Sequence, residues 1–304
     1  MRRKPLVLLA VAAALASVSL GALRLYPYEL VFAWREAALR LSGVRRVDAG
    51  PLKAWERDAC VPGRPCRCVA LVHGLGDSAL TWDKLLRDPR ARVPGLRVLA
   101  LDMPGTDGSP APKDPSGYAI PAQARALRAA LEPACPRWTV AGNSLGGWTS
   151  MTLALDWPQG VEGLVLVDPA GVDDPSGRAE ESARTLAAPT LESLKVFSAR
   201  ARFEDRPVPP AAWRSALAAI QGRPTRATVL ALRREDLLDR RLSALKAPTT
   251  IVWGDADGII PPAVGERLHR LIAGSRLERV PRCGHLPQQE CPEPVARALF
   301  GPGR

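Results

Sequence analysis

The sequence predicts an α/β fold, a mostly parallel sheet with helices on both faces. Short apolar runs without polar alternation recur along the chain, which is the pattern of strands buried on both sides, and helical stretches separate them, as crossover connections require. The runs are Cys68 to Val72, Leu96 to Leu101, Trp138 to Ala141, Leu164 to Val167, Thr250 to Trp253 and Arg276 to Val280. A third observation is a break in this alternation. From Asp173 to about Ala247 no strand-like run occurs, and helical periods cover Arg178 to Ala187, Leu191 to Phe203, Ala211 to Gln221 and Arg226 to Leu245. Such an insertion is expected to sit as a lid over the carboxyl ends of the strands, where ligands of parallel sheets bind.

The elements before the first strand run are read from the N-terminus. Met1-Arg2-Arg3-Lys4 precedes a charge-free stretch from Pro5 to Leu23, and about 17 to 25 apolar residues span a bilayer. A basic cluster before an apolar run marks export, with the cluster staying cytoplasmic. Residues 1–23 are therefore expected to be a signal anchor, with the rest outside the cytoplasm, on the periplasmic side if the chain is bacterial. Small residues at Ala14-Leu15-Ala16 and Ser19-Leu20-Gly21 leave a cleaved signal peptide and a secreted chain as the alternative. Residues 24–46 form an amphipathic connector, because Leu25, Leu30, Ala33, Trp34, Ala37, Ala38 and Leu41 recur at helical spacing before Gly43. Its apolar side is expected to lie on the domain or on the membrane surface. The remaining segment, 47–304, is long enough to hold one large core interrupted by the insertion at about 173–247.

The chain of 304 residues carries 42 basic and 31 acidic residues, a formal charge of +11. The basic residues are dispersed, with no block and no aromatic-interleaved stripe, which argues against a nucleic-acid partner. A milder expectation is attraction of the exported domain to anionic headgroups. Six cysteines fit an oxidising compartment and disulfides, whose pairing the sequence leaves open beyond noting that Cys283 and Cys291 flank a short loop. Cys66-Arg67-Cys68 lacks a matching pair and a nearby histidine, so no zinc site is expected.

Gly142-Asn143-Ser144-Leu145-Gly146-Gly147 stands between a strand run and a helical stretch. In that context GxSxG is a nucleophile elbow, whose glycines permit the sharp turn that exposes the serine hydroxyl. Serine needs a base within hydrogen-bond reach. Of three histidines, His285 follows the last strand run and is the candidate. His73, in His73-Gly74-Leu75-Gly76, follows the first run and belongs to a loop suited to offering N–H groups to an oxyanion; His269 reads as a surface residue of a helix. The base needs a carboxylate to orient it. Trp253-Gly254-Asp255-Ala256-Asp257 offers two, of which Asp257 is favoured and Asp255 is read as a turn cap, and Asp168 after the preceding run is a third candidate. Serine, acid, histidine is the chain order this layout uses.

Together these motifs make the chain resemble the α/β-hydrolase superfamily from about residue 67 to 300. The resemblance is carried by His73-Gly74-Leu75-Gly76, the elbow at Ser144, Trp253-Gly254-x-x-Asp257 and Gly284-His285-x-Pro287-x-x-Glu290-x-Pro292-Glu293. With the N-terminal run, Asp102-Met103-Pro104-Gly105 and Asp168-Pro169-Ala170-Gly171 are similar to those of membrane-anchored monoacylglycerol lipase-like hydrolases. The resemblance implies a lipophilic ester as the small-molecule substrate, acyl transfer to Ser144, an oxyanion held by the N–H groups of Leu145 and Leu75 (or Gly76), and a structural role for Asp102. It calls for no metal or organic cofactor. Serine at the elbow excludes the epoxide hydrolases and haloalkane dehalogenases of this fold, which carry aspartate there. Hydrolysis of carbon–carbon bonds in vinylogous diketones is the second enzymatic reading, and a binding protein that kept the fold without catalysis is the alternative from another class. Phe197, Phe203 and Trp213 are candidate acyl-pocket or lid-core residues.

Overall fold

Along β3 (Arg67–Val72), Val69 and Leu71 pack into one apolar layer while Cys68, Ala70 and Val72 pack into another, and all five are buried. A strand so covered on both faces belongs in the middle of a sheet. The computed structural model describes residues 27–204 and 207–302. In these, β1 (Arg45–Ala49), β2 (Leu52–Asp58), β3, β4 (Leu96–Asp102), β5 (Trp138–Asn143), β6 (Val161–Val167), β7 (Thr249–Gly254) and β8 (Arg276–Val280) form one sheet in the order β1-β2-β4-β3-β5-β6-β7-β8. From β4 to β8 every pairing is parallel; β1 with β2 and β2 with β4 are antiparallel.

All six apolar runs are strands, and the expected α/β architecture is the one observed. β1 and β2 were not expected. Their sequences, RRVDA and LKAWERD, carry charges that break the apolar pattern. The structure buries two of those charges with partners, while Arg45 and Asp48 stay exposed. Glu56, 1% exposed, accepts from Arg45 and Arg97, and buried Arg57 donates to the carbonyls of Leu86 and Ser42.

The helices are α1 (Pro27–Leu41), α2 (Asp83–Leu86), α3 (Ile120–Leu131), α4 (Leu145–Asp156), α5 (Arg178–Ala187), α6 (Leu191–Ala201), α7 (Pro210–Gln221), α8 (Thr225–Ala231), α9 (Pro262–Leu271), α10 (Pro287–Glu290) and α11 (Pro292–Phe300). Leu127 of α3, Met151 of α4 and Leu268 of α9 pack in the layer on one sheet face, and Leu86 of α2 and Leu299 of α11 in the layer on the other. The last helical period of the insertion is shorter than expected. α8 ends at Ala231 because the backbone beyond it is used for other bonds: the Asp236 carbonyl accepts from Trp148 Nε1 at 3.0 Å, and Leu238 N–H donates to Gly171 at 2.8 Å.

The connector is helical, and Gly43 ends it. With φ +84°, Gly43 lets its N–H reach the Arg40 carbonyl while Val44 N–H reaches Leu39, both at 3.0 Å, closing the helix end. Of the two surfaces expected to take its apolar side, the domain is not the one that covers it. Leu39 and Phe32 face the body and Arg35 bonds Asp83 at 2.8 Å, whereas Leu30, Trp34 and Leu41 of the apolar stripe are exposed, Trp34 by 63%. Among the described residues no helix is long and apolar enough to cross a membrane; the run Pro5 to Leu23, read as an anchor or signal, lies outside them.

Candidate active site

Ser144 sits between β5 and α4 with φ 54° and ψ −120°, a conformation that costs a non-glycine residue free energy. The turn is tight enough that a Cβ on Gly142 would overlap the Gly146 carbonyl, and one on Gly146 would overlap that of Val72. Glycine at both places is therefore a requirement of the turn, as the elbow reading expected.

His285 and Asp257 come together at the carboxyl edge. His285 Nδ1 lies 2.7 Å from Asp257 Oδ2, with His285 4% and Asp257 3% exposed. The other oxygen of Asp257 accepts from the N–H groups of Ile259 at 2.8 Å and Ile260 at 3.0 Å, so the carboxylate is fixed at both oxygens. Asp255 points elsewhere; it is exposed and paired with Arg279 at 2.6 Å, so its role as a turn cap gives way to a surface ion pair. Asp168 is wholly buried with φ 41°. One of its oxygens accepts from Gly254 N–H at 2.9 Å and the other has no partner among the described residues. Burial, aided by the nearby charge of Asp257, pushes the Asp168 carboxyl well above the usual carboxylate range. One ligand-type atom from each of Asp168, Asp257 and His285 lies within 4.8 Å of the others, the one cluster of metal-ligating groups among the described residues. Its central pair is already joined by the hydrogen bond between His285 and Asp257.

The loop carrying Leu75 lies against the elbow, since a Cβ on Gly74 would sit 3.2 Å from Ser144 Cβ. His73 is held in one tautomer: its Nδ1 donates to the Gly74 carbonyl at 2.8 Å and its Nε2 accepts from Met103 N–H at 3.0 Å. Leu75 and Leu145 both line the cavity in front of Ser144. Asp102, also raised by burial, accepts from Ala79 N–H at 2.7 Å and pairs with Arg46, and so organises the loops behind the site. His269 is exposed on α9, as expected.

Three residues given no role from the sequence organise these loops. Buried Asn143 donates from Nδ2 to the carbonyls of Val167 at 3.0 Å and His285 at 3.1 Å, tying the elbow to the β6 end and to the histidine. Glu290 Oε2 accepts from Gly284 N–H at 2.8 Å. Arg223, at the start of the turn before α8, donates to the Gly76 carbonyl at 2.6 Å. Glu290 was visible only as part of the motif around His285; Asn143 and Arg223 act on loops far from them in sequence.

Ser144 and His285 open on a cavity of about 560 Å³, within the size range of small-molecule sites. The inserted helices wall it, with Leu186, Leu194, Phe197, Trp213 and Val229 among the lining residues, and Phe32 of α1 completes one side. Of the candidate pocket aromatics, Phe197 and Trp213 line it. Phe203 does not; it is 41% exposed, under the Arg282 guanidinium at 5.5 Å.

A mostly parallel sheet with a serine elbow and a buried histidine–aspartate pair defines a hydrolase class, and the family model agrees. The chain belongs to the alpha/beta hydrolase family, whose model matches residues 69–298. It is similar to a 2-hydroxy-6-oxononadienedioate/2-hydroxy-6-oxononatrienedioate hydrolase of Klebsiella pneumoniae, 31% identical over 73% of this chain and 82% of the relative. A Variovorax paradoxus relative with a provisional carbamate hydrolase name is 36% identical over 71% of this chain and 84% of its own. Among solved structures, a membrane phospholipase A described as a bacterial virulence factor superposes with a TM-score of 0.74 at 26% identity, covering 98% of this chain and 96% of that one.

Proposed function

We propose that the protein is a serine hydrolase of lipophilic carboxylic esters, acting at a membrane outside the cytoplasm. The observation that carries this reading is a buried His285–Asp257 pair opening, together with the strained Ser144, on a large cavity walled by apolar helices. Ser144 Oγ attacks the ester carbonyl as His285 Nε2 takes its proton, and the N–H groups of Leu145 and Leu75 receive the oxyanion. His285 returns the proton to the departing alkoxide. Water then adds its hydroxyl to the acyl carbon, again through His285, releasing the acid and restoring Ser144. Asp257 holds the imidazole with Nδ1 protonated, leaving Nε2 free to accept.

The membrane reading rests on the charge-free run Pro5 to Leu23, on the apolar stripe of α1 that faces away from the body, and on similarity to a membrane phospholipase over 98% of the chain. The inserted helices α5 to α8 would serve as the lid. Carbon–carbon hydrolysis is the second reading, favoured by the Klebsiella relative. The dioates in that relative's name carry two carboxylates, and of the arginines lining this cavity Arg35 is held by buried Asp83, Arg184 and Arg234 make exposed pairs, and Arg202 has no ion pair among the described residues, so a carboxylate at this cavity is a further outcome to test. Turnover of p-nitrophenyl esters of increasing chain length, set beside cleavage of a vinylogous diketone, separates the two. Ester turnover rising with chain length and lost in Ser144→Ala, by about ten thousandfold, supports the first; faster diketone cleavage supports the second.

A further inference from the structure

His285 lies inside a covalent ring. Cys283 and Cys291 form a disulfide eight residues apart in sequence, and the ring it closes contains Gly284, His285 and the short helix α10. Several contacts around this ring act on the histidine. The Cys283 carbonyl accepts from Ala256 N–H at 2.9 Å, the residue before Asp257, so one end of the bridge is bonded to the acid loop. At the other end, Glu290 precedes Cys291 and reaches across the ring to accept from Gly284 N–H, the residue before His285. His285 itself donates its N–H to Ala201 at 2.8 Å and accepts Asn143 at its carbonyl. Neither cysteine lines the cavity. Among the described residues, none of the hydrogen bonds of the two other disulfides, Cys60–Cys66 and Cys68–Cys135, reaches His285 or the acid loop.

We propose that the Cys283–Cys291 bridge is a positioning device for His285, so that the chain is slow while these thiols are reduced and reaches full turnover only after they are oxidised. The proposal rests on the reading of His285 as the base. With the ring open, the junction of α10 and α11 is no longer joined to the end of β8, and Glu290 loses the constraint that keeps it opposite Gly284. His285 then samples positions around its contact with Asp257, and displacements of about 1 Å in a reacting group cost roughly a hundredfold in rate. An exported chain would in this way stay idle on the reducing side of the membrane, where its own cell's esters are present, and switch on in the oxidising space beyond.

The bridge is open to exchange from one side. Cys283 is fully buried and Cys291 partly exposed, so a dithiothreitol thiolate attacks Cys291 Sγ. The Sγ–Sγ bond breaks, Cys283 leaves as thiolate and takes a proton, and the reductant's second thiol closes its own disulfide, releasing Cys291; two electrons pass from reductant to bridge. Cys68 and Cys135 are both buried and exchange more slowly.

The test uses the full chain in detergent, comparing wild type, Cys283→Ala/Cys291→Ala and Cys60→Ser/Cys66→Ser, with thermal melts to establish folding. On reduction, wild type and Cys60→Ser/Cys66→Ser should lose about tenfold to a hundredfold in kcat, with a smaller change in KM, and recover with oxidised glutathione. Cys283→Ala/Cys291→Ala should be slow from the start and indifferent to either reagent. If that variant does not fold, reduction of Cys60→Ser/Cys66→Ser is followed by peptide mapping, and kcat must fall in step with opening of the 283–291 bridge. Wild-type kcat in the folded double-alanine variant, or loss that follows the 68–135 bridge, overturns the proposal. Oxidised wild type that neither cleaves esters nor reacts with a fluorophosphonate overturns the functional reading instead.

Discussion

Two buried carboxyl groups stand at the ends of neighbouring strands, Asp168 after β6 and Asp257 after β7, and their surroundings give them different work. Asp257 has a histidine on one oxygen and two backbone N–H groups on the other. Asp168 has one N–H on one oxygen and no partner among the described residues on the other, and burial raises it. An ionised carboxylate is purely an acceptor and needs donors at both oxygens when buried, whereas a protonated one tolerates fewer. Contact with the histidine and donors at both oxygens thus fall on the same acid, Asp257, and neither falls on Asp168.

The largest test of this contrast is Asp257→Asn. The amide presents a donor as readily as an acceptor to His285 Nδ1, and kcat toward an ester should fall by about ten thousandfold with the fold intact. A severe loss in Asp168→Asn beside a mild one here would transfer the acid to β6. Asn143→Ala comes next, because Asn143 joins the two regions by bonding both Val167, next to Asp168, and His285. Its kcat should drop about tenfold to a hundredfold, and unfolding in denaturant should show a loss of about 1–3 kcal/mol for buried groups left unpaired.

Asp168→Asn should leave kcat within a few-fold and raise the melting temperature. The sign follows from proton linkage. Below the unfolded carboxyl's ordinary value of 3.8 both states hold the proton and no penalty exists. As pH rises above it, the unfolded chain releases the proton while the folded chain keeps it, so wild-type stability declines until the raised folded value is passed. The variant has no such decline, and its advantage in thermal melts should widen from pH 4 upward; an advantage independent of pH would show that Asp168 is not held protonated. Smallest is Asp255→Asn, which removes an exposed pair with Arg279 and should change stability by at most about 0.5 kcal/mol and leave kcat untouched.

The sequence already displayed the parallel strands, because doubly covered strands must be apolar throughout, and it displayed Ser144, Asp257 and His285, because a tight turn and two strand-end loops leave local motifs. It did not display β1 and β2, whose buried Glu56 and Arg57 look like surface charges until Arg45 and Arg97 are seen against Glu56 and the chain's own carbonyls against Arg57. It left open which side of α1 meets the body. Leu30, Trp34 and Leu41 have the spacing of a packed face, but the helix docks through Phe32, Arg35 and Leu39. Helical spacing defines a stripe without saying what covers it. Nor does local sequence disclose that Asn143 or Arg223 holds a loop from another part of the chain, since such bonds depend on where the fold places their acceptors.

The end of α6 sets a limit on how this protein can admit a substrate. The Arg200 carbonyl accepts from Gly258 N–H at 3.0 Å, beside Asp257, and the Ala201 carbonyl accepts from His285 N–H at 2.8 Å. α6 is thus fastened to the acid and to the histidine at once. Lifting α5 to α8 as a single rigid flap would break both bonds, so any motion of these helices that leaves Asp257 and His285 in place has to leave the end of α6 where it is.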